Sequence, residues 1–167
     1  MSCLGAHFAL DADQSATLRR FREAGDDVGL VDWICETVEE DLYGGPWACG
    51  TDKAWDAIHR CLGDGTLTGP ATTASKAILG GEPMLADCDD YLIHLIPAAE
   101  VPEVAAAVAA IDEAELRRRY DRIPESEYGE FASDEDFGYT WDNLRDLQEF
   151  LTRVADSGRD VIFTADQ

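Results

Sequence analysis

The residues best suited to do chemistry lie close together in the segment from Asp52 to Leu62. Trp55 and His59 are four positions apart, so on a helix they share a face, with Asp52 and Asp56 close to Trp55. A histidine beside a carboxylate and an indole can act as a general base, or it can hold a ligand by stacking. The same spacing fits a structural interpretation, in which Trp55 packs in the core and His59 satisfies a buried backbone carbonyl.

The segment therefore defines one candidate binding cleft, formed by Trp55, Asp56, His59 and Lys53. In the structural interpretation, Lys53 is simply a surface residue of the first helical turn. A catalytic version of the site pairs His59 with Asp52 or Asp56, as in a small hydrolase or ligand-binding enzyme. Only three histidines are present and none has a recognisable nucleophile partner, while Gly-x-Ser-x-Gly and His-Glu-x-x-His are both absent. No catalytic residue is assigned.

Other patterns that could bind a cofactor or metal have simpler explanations. Gly80-Gly81 follows a helical turn instead of opening one, so it lacks the helix N-terminus that makes a glycine loop bind phosphate. The run Asp87-Cys88-Asp89-Asp90 lacks the glycine and terminal glutamate of a calcium loop and is typical of a solvated acidic turn. His59 and Cys61 point about 200° apart on a helix, so they cannot share one zinc ion. We predict no metal and no cofactor.

The cysteines indicate a reducing compartment. There are five, an odd number, and no two form a Cys-x-x-Cys pair: Cys3, Cys35, Cys49, Cys61 and Cys88. We expect all five thiols to be free. The N-terminus lacks the basic and apolar regions of a signal peptide, and the alanine-rich run Val104 to Ile111 is too short to span a bilayer. The sequence predicts a cytoplasmic protein.

The charge balance restricts the possible partners. Asp and Glu number 35 against 13 Lys and Arg, giving a formal net charge of −22. Binding to nucleic acid depends on Lys and Arg that neutralise phosphates, and only Arg117-Arg118-Arg119 forms a basic run. Nucleic acids and anionic membranes are therefore disfavoured, whereas a basic protein partner is permitted.

Trp33 and Trp47 fall outside the main apolar stripes. Two interpretations remain open for them: they serve as interface anchors, or they form a second packing face.

Periodicity predicts three strands among many helices. Glycine and proline residues mark the ends of the predicted elements, and an acidic residue precedes several of the apolar stripes. The predicted strands are Leu4–Leu10, Tyr91–Ile96 (expected to be central, because both of its faces are apolar) and Val161–Thr164. In the first half of the chain, the predicted helices are Asp13–Ala24, one that follows Asp26-Asp27 and reaches Leu42, one that is capped by Thr51 or Asp52 and ends at Leu62, and a helical turn at Ala74–Leu79. In the second half, they are one marked by Val101–Ile111, one from Asp112 to Arg122, and one from Trp141 to Gly158. Tyr43–Gly50 and Pro124–Asp136 are expected to be loops.

This arrangement predicts an α+β fold: a helix-rich single domain over residues 1–167, with a small mixed sheet of about three strands.

Three segments of the chain carry a family resemblance. The helix Thr51–Leu62 matches the pattern D-K-x-W-x-x-[LI]-H-x-x-L, and Ala77-Ile78-Leu79-Gly80-Gly81 matches A-[IV]-[LF]-G-G. The third segment, from Tyr91-Leu92 through Glu100-Val101 to Tyr120-Asp121, is similar to a strand, a helix and L-R-x-x-[FY]-[DN]. Together they resemble a bacterial family, the YfbM-like domain of unknown function, over nearly the whole chain. The resemblance implies a small cytoplasmic α+β domain and no particular activity.

Two hypotheses from different classes follow. The first is a non-enzymatic, acidic, cytoplasmic binding module that recruits a protein partner, of a toxin-neutralising or regulatory type. The second is a small hydrolase or ligand-binding enzyme that uses His59 with Asp52 or Asp56. The one-sided charge and the scarcity of histidine favour the first.

Overall fold

Five strands form one sheet in the computed structural model, which describes residues 4–86, 90–129 and 132–166. The strands are β1 (Gly5–Leu10), β2 (Ala48–Asp52), β3 (Glu82–Pro83), β4 (Tyr91–Ile96) and β5 (Asp160–Asp166). Their order across the sheet is β2-β1-β5-β4-β3, and every neighbouring pair is antiparallel. The α+β class is confirmed, but the described sheet is antiparallel instead of mixed and has five strands instead of about three.

The three predicted strands are present and the two unpredicted ones lie at the sheet edges. β2 contains Gly50 and follows the glycine-rich turn Gly44-Gly45, so its sequence carries little strand signal. β3 has only two residues, one of them a proline, which is confined to edges because it lacks an N–H. β4, expected to be central, lies between β3 and β5, and β5 occupies the middle of the sheet.

The helices flank the sheet on both faces. They are α1 (Ala12–Ala24), α2 (Asp27–Trp33), α3 (Glu39–Leu42), α4 (Trp55–Leu62), α5 (Val101–Ala109), α6 (Glu113–Tyr120), α7 (Glu125–Tyr128) and α8 (Asp134–Val154), with a π-helical segment at Ile34–Val38 and a 3₁₀ turn at Ala74–Ala77. None of the helices within the described ranges is long and apolar enough to cross a membrane.

Side chains alternate along the strands and divide the core into two layers. Phe8, Leu10 and Ile162 pack with Leu18, Leu30, Ile34 and Val38 under α1 and α2. On the other face Ala9, Val161 and Phe163 pack with α4, α5 and α8. The predicted stripe of α8 is confirmed at Leu144, Leu147, Leu151 and Val154, which are fully buried, while Trp141 is half-buried.

Several helix boundaries differ from the sequence pattern. Asp11, not Asp13, caps α1, accepting the Gln14 N–H at 2.8 Å, and Gly25 ends the helix with φ +66°. α4 begins at Trp55 with no side-chain cap, because Asp52 still belongs to β2. The expected loop at 124–136 contains α7 and the first turn of α8, which Ser133 caps. The cap predicted at Asp112 is confirmed.

The remaining expectations concern tryptophans and thiols. Trp33 is half-buried, with its ring 5.9 Å from that of Phe21, and Trp47 is half-buried beneath the Arg159 guanidinium at 4.0 Å. Both side chains therefore take part in packing. Cys35, Cys49 and Cys61 are free. Cys3 and Cys88 lie outside the described residues, as do Asp87 and Asp89 of the acidic turn.

Candidate functional site

Trp55 and His59 both lie in the interior. Trp55 is 3% exposed, and its ring lies 5.7 Å from that of Phe163. His59 is 5% exposed, and both of its ring nitrogens face backbone groups. With the proton on Nε2, it donates to the Leu67 carbonyl at 3.2 Å, and Nδ1 accepts the Leu79 N–H at 3.4 Å. Burial lowers the pKa of His59, so the neutral ring that this pattern requires is favoured.

The charged members of the predicted cleft point elsewhere. The Asp56 carboxylate pairs with the Arg60 guanidinium at 2.6 Å, and Arg60 also reaches Glu127 at 2.9 Å. Lys53 is exposed in the turn that precedes α4. Asp52 lines a separate cavity, described below, which neither Trp55 nor His59 lines. The structure thus brings Trp55 and His59 together in the interior and leaves Lys53 and Asp56 outside it.

All three histidines hold the same irregular segment. His7, fully buried, has Nε2 2.7 Å from the Ala77 carbonyl, and His94 has Nδ1 3.4 Å from the Gly81 carbonyl. With His59 bonded to Leu67 and Leu79, the histidines anchor residues 67–81 against the sheet and α4. Their role here is structural.

A cavity of about 570 Å³ opens where four strands end at the same side of the sheet. The first residues of β1 and β4 and the last residues of β2 and β5 form one wall, since antiparallel pairing places Gly5 beside Asp52 and Tyr91 beside Asp166. Cys35, Glu39 and Tyr43 also line the cavity. We call this space the sheet-end cavity. Its volume is in the range of small-molecule and ligand sites, roughly 300–1,000 Å³.

The π-helical segment determines which side chains reach this cavity. The Glu39 N–H bonds to the Ile34 carbonyl five residues earlier, and the helix continues on both sides. Ile34 and Val38 are fully buried, whereas Cys35 is exposed into the cavity and Glu39 is half-buried there. A regular period of 3.6 residues predicts the reverse, with Cys35 inside and Glu39 outside. Such π-bulges occur frequently at functional sites.

Three carboxylates line the sheet-end cavity: Glu39, Asp52 and Asp166. The Tyr91 hydroxyl donates to Glu39 Oε1 at 2.9 Å, and the Leu4 N–H donates to Asp166 Oδ1 at 3.0 Å. Asp52 accepts the Lys53 N–H at 2.8 Å and has a φ of +46°, a left-handed conformation rare for a non-glycine residue. Each carboxylate is thereby held in place by a neutral donor.

No described lysine, arginine or histidine compensates these charges. None of the residues lining the cavity is basic, and none of the ion pairs formed by the described residues involves Glu39, Asp52 or Asp166. The carboxylates are also too dispersed for a metal site, because the described residues contain no group of three potential ligands close enough to hold one ion.

The cavity also contains aromatic and apolar surface. Tyr43 is 76% exposed and Leu4 is 47% exposed, two of the four large apolar side chains that are exposed in the described part of the chain. Burial, together with the Glu39 carboxylate, raises the pKa of Tyr91, so its hydroxyl stays protonated and continues to donate. Burial and the Glu39 and Asp166 charges raise the pKa of the Cys35 thiol, which therefore lacks nucleophilic thiolate at neutral pH.

Comparison with known proteins agrees with this architecture. A family model described as a domain of unknown function (DUF1877) matches residues 1–164, so the chain belongs to that family. Its fold is similar to that of a solved protein of unknown function, YfbM from Escherichia coli. The two chains are 19% identical with a TM-score of 0.68, and the match covers 97% of this chain and 99% of YfbM. The YfbM-like resemblance is confirmed. No curated protein matches the sequence.

Proposed function

We propose that this protein is a non-enzymatic binding module that recruits a basic protein partner through the sheet-end cavity. The observation that carries the proposal is a preformed cavity with three fixed carboxylates and no described counter-ion, in a chain of net charge −22. Opposite potentials steer association and select partners. A toxin-neutralising or regulatory protein would need such a surface, because each must recognise another protein without changing it chemically.

The exposed side chains at the rim favour a protein over a free ion. Tyrosine is enriched in interfaces, since one large ring buries apolar area and still offers a hydroxyl. Tyr43 and Leu4 would become covered when a partner binds. Their positions beside the carboxylates combine an apolar contact with a charged one, which is the composition of an interface with a buried anchor.

The arrangement of the candidate bases does not favour the enzyme hypothesis. Catalysis by His59 needs a free ring nitrogen near Asp52 or Asp56, but both nitrogens face backbone partners and Asp56 is paired with Arg60. In the sheet-end cavity, the thiol of Cys35 has a raised pKa. We therefore retain the binding module as the single proposal.

Affinity capture with matched charge variants tests this function. Immobilised wild-type protein, a cavity variant (Glu39→Gln with Asp166→Asn) and a control (Glu149→Gln with Asp142→Asn, both exposed on α8) are exposed to native lysate. The two variants lose the same charge. We expect a protein that wild type and control retain and the cavity variant loses, and that elutes as salt rises from roughly 0.1 to 0.5 M. Equal retention of every protein by all three would contradict the proposal.

A further inference from the structure

The sheet-end cavity has the chemistry of a receptor for one particular cationic group. Glu39 and Asp166 each use one oxygen for a neutral donor, Tyr91 or Leu4, and the second oxygen has no hydrogen-bond partner among the described residues. Both carboxylates line the same cavity, and so does the Cys35 thiol. Two separate acceptors thus lie around a common space.

We propose, building on the proposed function, that the cavity receives the guanidinium group of an arginine side chain from the partner. A guanidinium is planar and presents five N–H donors in a fixed arrangement, so it can reach two separated carboxylates at once. It is weakly hydrated and stacks on aromatic rings, which suits a site that also contains Tyr43 and Leu4.

Other cations fit the site less well. A divalent metal needs several ligands within about 2.0–2.6 Å of one point, and the described residues contain no group of three acidic, histidine or cysteine side chains that could meet this demand. A lysine ammonium is a compact and strongly hydrated point charge, so it gains less from separated acceptors and from an apolar rim. The space of about 570 Å³ also exceeds what a bare ion requires.

The experiment uses three blocked pentapeptides in which arginine, lysine or citrulline is flanked by glycines. Citrulline keeps the shape of arginine and removes its charge. Isothermal titration of the wild-type protein is expected to give the order arginine, lysine, citrulline, with citrulline weaker than arginine by about tenfold or more, the size expected for loss of one charge-assisted contact. Glu39→Gln and Asp166→Asn should each weaken the arginine peptide by about tenfold, whereas Glu149→Gln should leave it within about twofold.

Alkylation of Cys35 reports where the peptide binds. The thiol lines the cavity, so at a pH alkaline enough to form thiolate, saturating arginine peptide should slow its reaction with iodoacetamide, while the rate at Cys49, which does not line the cavity, should not change. Protection can be followed by mass spectrometry of the digested protein.

Three results would overturn the inference. They are equal affinity for arginine and citrulline peptides, tighter binding of the lysine peptide, and equal weakening by Glu149→Gln and Glu39→Gln. In any of these cases, a protein retained by wild type and control but lost by the cavity variant would still support the proposed function. The absence of such a protein would contradict the proposed function by itself, so the two failures are distinguishable.

Discussion

At the scale of single residues, histidine chemistry here serves stability. His7 is 0% exposed, and its ring lies 5.0 Å from that of Phe163 and 6.3 Å from that of Phe150, measured between centroids. Burial lowers its pKa to about 4, although the Ala77 carbonyl partly opposes that shift. The unfolded chain therefore takes up a proton on this ring before the folded protein does, and acid favours unfolding.

The first prediction concerns the pH dependence of this residue. The contribution of neutral His7 is complete above its unfolded pKa of about 6.5 and is lost as the pH falls towards about 4. Between pH 7.5 and 5 the loss is about 2 kcal/mol of unfolding free energy. Urea unfolding of wild type and His7→Gln, at both pH values, measures it. The wild type should lose more stability than the variant, and equal losses would show that His7 titrates normally.

The second prediction concerns His59. Removing the ring leaves the Leu67 carbonyl and the Leu79 N–H without their partner, so His59→Ala should lower the unfolding free energy by about 1–3 kcal/mol. Partner binding should not change in the folded protein. Lys53→Ala, an exposed change in the same segment, is the control and should stay within about 0.5 kcal/mol. A stable His59→Ala protein that has lost its partner would restore this histidine as a binding residue.

At the scale of secondary structure, the long elements follow from local pattern. β4 and β5 have short apolar runs, interrupted in β4 only by His94, and α8 repeats apolar residues at helical spacing, so both kinds of element can be recognised from the sequence. β2 and β3 cannot be recognised in this way. Neither has a distinctive local pattern, and each becomes a strand only because a neighbouring strand supplies its hydrogen bonds. The candidate cleft consists of residues close together in sequence, whereas the sheet-end cavity is built from several elements distant in sequence.

The π-helical segment explains why the cavity could not be predicted. The additional residue in the π-helical turn directs Cys35 and Glu39 towards the sheet-end cavity. A regular helix would place Cys35 inside and Glu39 outside. Neither the acidic residues nor the cysteine carries a local signal of this shift. The left-handed conformation of Asp52 is likewise visible only in the folded chain.

The third prediction concerns the packing of α8. Leu147 is 0% exposed at the centre of the buried stripe, so Leu147→Ala should cost about 2–5 kcal/mol through lost burial and the remaining cavity. Chemical denaturation measures the change. Glu149→Ala, on the exposed face of the same helix, should stay within about 0.5 kcal/mol. Similar losses in both variants would mean that helix propensity, not packing, determines the effect.

At the scale of the whole molecule, the excess of acidic groups has two opposite consequences. Self-repulsion among charges that total −22 destabilises the compact state, and the same charge would attract the proposed basic partner. Salt screens both effects, with a Debye length of about 10 Å at 0.1 M and about 3 Å at 1 M.

The fourth prediction follows from that opposition. Raising sodium chloride from about 0.02 to 0.5 M should increase the melting temperature of the free protein and weaken its complex with a basic partner. Differential scanning calorimetry and isothermal titration measure the two trends in the same buffers. Salt-independent partner affinity would contradict an electrostatic interface, even if the melting temperature rises as expected.

We propose that the sheet-end cavity, and not the acidic surface in general, recognises the basic partner. The most direct test is a two-dimensional amide NMR titration of isotope-labelled protein with the arginine peptide. We expect progressive shifts confined to the cavity walls, at Gly5, Cys35, Glu39, Tyr91 and Thr164, and small changes along the exposed face of α8. Shifts spread evenly over the acidic helices, with none concentrated at these five residues, would contradict the claim.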